Sequence, residues 1–260
     1  MMRVTIITAC YNRVATIGEA IASVARQTYG DIEHIVVDGG STDGTLDVLT
    51  RHRASLAKLI PGPDKGIYDA LNKGVGAATG DIVGFLHSDD VYARDDIIAT
   101  VAARMRSESL DALYGDVAFV AADDTDRIVR VYSSRRFHPS RIAWGWMPAH
   151  PALFVRRRIY QQHGGFKTDY RIAADFEFVA RIFSRGTLRY AYLPQVLVRM
   201  RLGGVSTRGW RSTLALNREV LRACRENGIA TNYLKILSKY PAKALEFVVR
   251  PGAGAAQDRR

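Results

Sequence analysis

The chain has 260 residues, 47% of them apolar, and a formal net charge of +11, which fits one large domain or one domain with an extension. Cys10 and Cys224 are too few for a disulfide scaffold and lack paired-ligand spacing, so both read as structural thiols in a reducing compartment. No apolar run approaches the roughly 20 residues of a membrane-crossing helix, and the run after Met1-Met2-Arg3 is shorter than the core of a signal peptide, so a cytoplasmic protein is expected.

Arg3–Thr8 is β-branched and apolar, a buried first strand, and Ala9–Arg13 is the polar turn after it. Ile17, Ala20, Ile21, Val24 and Ala25 share one helix face, with Thr16 placed to cap its start. Ile32–Val37 gives a second strand, ending at Asp38-Gly39-Gly40-Ser41-Thr42-Asp43-Gly44. Leu56–Ile60 is a weaker strand before the irregular loop Pro61-Gly62-Pro63-Asp64-Lys65-Gly66. A helix follows over Ile67–Ala78, its end blurred by Gly74 and Gly76. This alternation predicts an α/β fold with a parallel sheet covered by helices.

The next stretch, Ile82–Asp90, is an apolar strand that stops abruptly at Ser88 and two adjacent aspartates, Asp89 and Asp90. Two carboxylates at the end of a buried strand belong in a cleft, since uncompensated charge cannot stay in a core. In such sheets ligands bind beyond the carboxyl ends of the strands. The loops Thr8–Asn12, Asp38–Asp43 and His87–Asp90 are therefore expected to converge on one metal and diphosphate site.

Beyond it, a helix is expected over Arg94–Arg106 and a hairpin from Ala112–Val120 and Ile128–Tyr132. Phe137–Pro148, with Trp144 and Trp146, reads as a long functional loop. Pro151–Val155 is apolar, a short helix runs to Gly164, and Asp175–Ser184 is amphipathic. The last quarter changes character: from Val196 onward there are 13 Lys and Arg against 4 Asp and Glu. Arg208–Glu226 reads as a helix with Leu214, Val220 and Leu221 inward, followed by short helices over Asn232–Ser238 and Pro241–Val249. Lys235, Lys239 and Lys243 recur beside Leu234, Leu237, Leu245, Phe247 and Val248, as in a basic segment lying on an anionic membrane; a helix packed on the domain gives the same pattern. Residues 251–260 read as a disordered tail.

Three segments carry a resemblance: Thr5–Asn12, Val36–Thr45 and Gly84–Asp90 stand in the order and spacing of family 2 glycosyltransferases, and the similarity extends from Val4 to Phe183. Asp64–Gly74 is similar to a subgroup that builds bacterial surface polysaccharides and glycolipids. The resemblance implies the GT-A fold, a Rossmann-like nucleotide-diphospho-sugar transferase with a mixed, mainly parallel sheet. It places that domain over residues 1–205, a nucleotide-sugar half over about 1–120 and an acceptor half over about 121–205. Residues 206–250 then form a basic helical extension.

It also implies a nucleotide-sugar donor (UDP first, GDP next), a divalent Mn²⁺ or Mg²⁺, and inversion at the anomeric carbon. A metal held by carboxylates would neutralise the departing diphosphate. Asp90 is then the first metal ligand, and Asp89 a second ligand or partner of the ribose. The D-x-D of the family is here Ser88-Asp89-Asp90.

Asp38 corresponds to the residue that meets the pyrimidine, and it also suits ordering its own turn. Thr8, Asn12 and Ser41 are candidates for the nucleotide pocket, Asn12 equally for stabilising its turn. Lys65 suits phosphate oxygens, and Asp69 and Asn72, three apart on one helix face, suit the sugar or metal. Asp175 matches the family's catalytic Asp, with Ala174 where a Glu usually precedes it, and is the expected general base; it also reads as a helix N-cap, and Glu177 is the fallback. Trp144, Trp146 and His150 are acceptor-side candidates, although a structural histidine reads as well at 150.

The processive signature of polysaccharide synthases is absent, which favours transfer of a single sugar to a lipid-linked or glycolipid acceptor at the cytoplasmic face of a membrane. Two other classes compete. A sugar nucleotidyltransferase would lead with a Gly-rich phosphate loop, which Ala9–Arg13 is not. A nucleic-acid binder would explain the charge but not three acidic loops that repel phosphate, so no nucleic-acid partner is expected.

Overall fold

The computed structural model describes residues 1–202 and 209–238. In chain order the elements are β1 (Val4–Cys10), α1 (Ile17–Ala25), β2 (Ile32–Asp38), α2 (Thr45–Arg51), β3 (Lys58–Pro61), α3 (Ile67–Ala77), β4 (Ile82–Phe85), β5 (Val91–Tyr92), α4 (Ile97–Ser107), β6 (Ala112–Val120), β7 (Ile128–Tyr132), β8 (Leu153–Arg156), α5 (Arg157–His163), α6 (Ala174–Phe183), β9 (Tyr190–Arg201), α7 (Gly209–Glu226) and α8 (Tyr233–Leu237). Among the described residues, no helix is long and apolar enough to cross a membrane.

The strands form one mixed sheet in the order β3-β2-β1-β4-β8-β6-β9-β5, with β7 also on β6. The first four are mutually parallel, so their carboxyl ends share one edge. β8 runs against β4 and β6 against β8, which turns β6 to point toward the same edge. β6 leaves β8 after Tyr114 and takes up β7 from Val117, while β9 runs parallel to it along its other side.

All seven residues of β1 are buried, as a strand covered on both faces demands. Each fully buried Ile or Val there contributes about 1.5–3 kcal/mol. α3 packs directly on that face: a Cβ built on Gly74 would lie 2.4 Å from Ile7 Cγ2. Gly74 therefore does not end the helix; its missing side chain lets the helix approach β1, and the helix continues to Ala77.

Several expectations are corrected. Thr16 stands at the N-cap position of α1 but makes no side-chain cap bond. Leu214 is exposed on α7, because Val220, Leu221, Ala223 and Cys224 form the buried face of that helix. The 12-residue β9, between β6 and the short edge strand β5, had no counterpart among the expected elements. The Trp-containing stretch holds a 3-10 turn, Pro139–Trp144, against which α8 and α6 pack. The expected helix over Pro241–Val249, Lys239, Lys243 and the tail lie outside the described residues.

Candidate active site

The loops after β1, β2 and β4 meet at the common sheet edge, and the first two are laced together. Asn12 N–H donates to Ser41 Oγ at 2.9 Å, and Asn12 Oδ1 accepts from Thr42 N–H at 2.9 Å. Asn12 adopts a left-handed φ of 52° to do so, a conformation its short polar side chain tolerates. Asn12 thus fills the turn-stabilising role and also holds the Asp38–Asp43 loop in place.

Asp38 is 0% exposed. Its Oδ2 accepts from Gly40 N–H and Ser41 N–H, both at 3.0 Å, and its Oδ1 from Ser41 Oγ at 2.5 Å and the Cys10 thiol at 3.6 Å. The carboxylate is saturated by its own turn, as a buried charge requires. In this structure Asp38 and Ser41 shape the loop and leave no oxygen free for a base ring. The loop after β3 closes over that turn: a Cβ on Gly39 would lie 2.3 Å from Asp64 Oδ2, so glycine is needed for the approach.

Thr8 and Asn72 are likewise committed elsewhere. Thr8 is wholly buried and shares a hydrogen bond of 3.1 Å with His34 Nε2. Both ends of the Asn72 amide grip the backbone of Phe166, donating to its carbonyl at 2.7 Å and accepting from its N–H at 2.8 Å. Asp69, at the start of α3, accepts from Lys65 N–H at 3.1 Å and pairs with Lys73 at 3.1 Å, which hold its carboxyl below the usual range. Lys65 and Asp69 line a cavity of about 260 Å³ closed on its other side by Thr168–Arg171.

The acidic loop after β4 is held mainly by burial and by Arg201. Ser88 and Asp90 are buried. Burial, reinforced by the charge of Asp89, pushes the Asp90 carboxyl well above its usual range; the Arg201 N–H, donating to Oδ1 at 3.2 Å, pulls the other way. A carboxylate held in this state is relieved by a cation.

The donor set suits an ion that takes one or two carboxylates and completes its shell from phosphate oxygens and water. Among the described residues no group of three or more His, Cys, Asp or Glu side chains is arranged to hold a metal by itself. Two residues distant in sequence complete the loop. The Arg201 guanidinium donates to the Asp89 carbonyl at 2.8 Å and pairs with Glu19.

His150 stacks on Phe85, the last residue of β4, with ring centroids 4.9 Å apart, and has His87 at 6.0 Å. Its Nε2 is buried without a hydrogen-bond partner, and burial keeps the ring neutral, with a pKa lowered to about 3. Trp144 is exposed, with the Lys235 ammonium 5.7 Å from its ring centre. Trp146 is half-buried on the same stretch.

Asp175 lies in the first turn of α6, whose N-cap position is Ala173, so Asp175 is not the cap. Its Oδ1 accepts from Phe176 N–H at 2.8 Å and lies 3.5 Å from the Tyr68 hydroxyl. Burial raises its pKa to about 6. An aromatic path links it to the acidic loop, because Phe85 packs on Phe166 and Phe166 on Tyr68. Glu177 is fully buried and paired with Arg181 at 2.9 Å and Lys167 at 3.2 Å, which removes it as a fallback base.

Tyr68, Arg201, Glu19 and Glu219 were not among the residues expected at the site. Tyr68 stood within the Asp64–Gly74 segment, so its position was visible although its role was not. The others act through contacts between distant parts of the chain.

Residues 5–184 match the model of glycosyl transferase family 2. Among relatives, the chain is 35% identical over 207 residues to a PGL/p-HBAD biosynthesis glycosyltransferase of Mycobacterium bovis, covering 78% of each protein. Among solved structures it resembles S. aureus TarS with a TM-score of 0.68 at 19% identity, over 95% of this chain and 44% of that one. It also resembles residues 1–349 of TarS in complex with UDP-GlcNAc, at 0.66 and 19% identity, over 95% of this chain and 73% of that one. The mannosyltransferase PcManGT of Pyrobaculum calidifontis, in complex with GDP-Man and Mn²⁺, aligns at 0.60 and 21% identity, over 94% and 80%. These neighbours share the expected GT-A architecture, and the three motifs lie on its sheet edge; the chain belongs to glycosyltransferase family 2.

Proposed function

We propose that this enzyme moves a single sugar, with inversion, from a nucleotide-diphosphate sugar to a hydroxyl of a lipid-linked or glycolipid acceptor. What supports the reading is a buried acidic loop at Asp89-Asp90 linked, through the contacts of Phe85 with Phe166, Phe166 with Tyr68 and Tyr68 with Asp175, to a carboxyl that burial pushes up to about 6. UDP-sugars are the favoured donors and GDP-sugars the next, in keeping with the ligands of the structural neighbours.

In this reading Asp90, with Asp89, holds Mn²⁺ or Mg²⁺, which when bound neutralises charge on the leaving diphosphate. The loops ordered by Asn12, Asp38 and Ser41 form the nucleotide wall, and Ser88 lies at the turn into the acidic pair. Lys65 and Asp69 contribute from the cavity beside Tyr68. Asp175 accepts the proton of the acceptor hydroxyl as its oxygen bonds the anomeric carbon, and the bond from that carbon to the diphosphate oxygen breaks with its electron pair. His150, Trp144 and Trp146 are assigned to the acceptor side. The basic C-terminal segment would bring the enzyme to the cytoplasmic face of an anionic membrane.

The test combines purified protein with Mn²⁺ and a panel of UDP-, GDP- and dTDP-sugars. Wild type is expected to be thermally stabilised by, and to hydrolyse, at least one donor, whereas Asp90→Ala does neither. If no donor acts on wild type, or Asp90→Ala behaves like it, the reading fails.

A further inference from the structure

Glu219 lies on α7, beyond the residues matched by the family model. Its carboxylate accepts three successive backbone N–H groups: Arg171 at 2.8 Å on Oε1, and Ile172 at 2.9 Å and Ala173 at 2.8 Å on Oε2. These residues lead directly into α6. Buried or half-buried N–H groups need acceptors, and for the N-cap residue Ala173 and the two residues before it a side chain 46 to 48 residues away in the chain supplies them. From the opposite side the Tyr68 hydroxyl donates to the Ile172 carbonyl. The peptide groups on both sides of Ile172 are thereby fixed, three residues before Asp175.

We propose that Glu219 is a positioning residue for Asp175, so that helix α7 is a working part of the transfer apparatus. The proposal rests on the reading of Asp175 as the base. A proton acceptor works only within hydrogen-bond reach of the hydroxyl it serves, and a displacement near 1 Å costs on the order of a hundredfold in rate. The two clamps add directional hydrogen bonds to the packing of the buried Ala173 and Ala174 side chains.

The same carboxylate sets a charge facing Asp175, which favours the protonated form there. Among the described residues, Arg171 stands in the clamped segment itself, and Tyr170 before it meets Glu226 and Arg222 of α7. Tyr68 comes from α3, Tyr160 of α5 stacks on Phe178 farther along α6, and Glu177 of α6 is consumed by Arg181 and Lys167.

The experiment compares wild type, Glu219→Gln and Asp175→Asn by thermal melting and by steady-state hydrolysis, across pH, of the UDP- or GDP-sugar that wild type cleaves fastest with Mn²⁺. Glu219→Gln is expected to lower kcat on the order of tenfold or more with donor KM nearly unchanged, and to move the acid limb of the pH–rate profile to lower pH. A purely structural cap would lower Tm without moving that limb.

If Asp175→Asn is inactive while folded Glu219→Gln keeps the kcat and acid limb of wild type, the proposal is overturned and the base reading stands. If Asp175→Asn is as active as wild type, the base reading itself falls and takes the proposal with it. Should Glu219→Gln fail to fold, Glu219→Asp decides: it keeps the charge but shortens the reach, so reduced kcat at unchanged donor KM supports the proposal and wild-type kcat overturns it.

Discussion

The backbone N–H of Arg201, at the end of β9, donates to Asp90 Oδ1 at 3.2 Å across 111 residues of chain. The Arg201 side chain then reaches back, donating to the carbonyls of Asp89 at 2.8 Å and Ala122 at 3.2 Å and pairing with Glu19 on α1. One residue thus ties both Asp89 and Asp90 to the end of β9.

Removing that side chain strips the partners from two carbonyls and one carboxylate in a partly buried setting. Arg201→Ala is expected to lose about 1–3 kcal/mol of stability, read as a fall of several degrees in Tm. Donor hydrolysis should drop on the order of tenfold as the loop loosens. A variant with the Tm and rate of wild type would show that the loop holds its shape unaided.

Asp175 carries a second prediction, with opposite signs for activity and stability. With Asp175 as the proposed base, its pKa of about 6 puts the expected acid limb of wild-type activity near pH 6, since a base must be deprotonated to work. A carboxyl whose folded pKa is raised holds its proton longer in the native state. Its charge therefore costs stability progressively as pH rises from the unfolded value near 4 to about 6, and fully above that. Asp175→Asn should lose activity on the order of a hundredfold or more, yet melt at or above the wild-type temperature near neutral pH. A lower Tm there would mean that the ionised form contributes to folding.

How much of this was legible depended on the range of the interactions. The strands ending at Cys10, Asp38 and Phe85 and the periodic helices after them announce themselves locally, so the sheet edge and the position of Asp90 could be placed from residue order alone. Partners that fold in from afar could not. Asp38 was expected to face a ligand, but its oxygens are taken by residues 40 and 41 and by Cys10 on the neighbouring strand. Asn72 shares a helix with Asp69, but Phe166, 94 residues on, claims its amide. β9 carries a weak local signature because Pro194 interrupts its pattern.

The buried histidines make stability fall with acidity. His34 is almost wholly buried, and burial lowers its pKa to about 4. Between the unfolded value of about 6.5 and that figure, the unfolded chain takes a proton that the native chain refuses, so stability declines as pH drops through this window. The slope per histidine is at most about 1.4 kcal/mol per pH unit, and His150 acts in the same direction. His34→Gln retains a polar partner for Thr8 without titrating. Urea midpoints measured from about pH 7.5 down to about pH 5 should fall less steeply for this variant than for wild type; parallel curves would remove His34 from the account.

The surface around α8 gives the membrane reading a direct test. Leu234 is 81% exposed, Tyr233, Leu237 and Trp144 are exposed beside it, and Lys235 lies against the Trp144 ring. Aromatic, aliphatic and cationic groups in one patch suit an anionic bilayer surface, where each buried leucine is worth about 1.5–3 kcal/mol and each nearby lysine about 1 kcal/mol. Replacing Leu234 and Leu237 together by Asp should weaken binding to phosphatidylserine vesicles on the order of a hundredfold. It should lower Tm only slightly, because Leu234 is 81% and Leu237 44% exposed. Deleting the chain after Tyr233 should weaken binding in the same direction. Vesicle binding that is indifferent to the paired substitution would take α8 out of membrane contact and leave this helix the task of packing on α7 and on the Pro139–Trp144 turn.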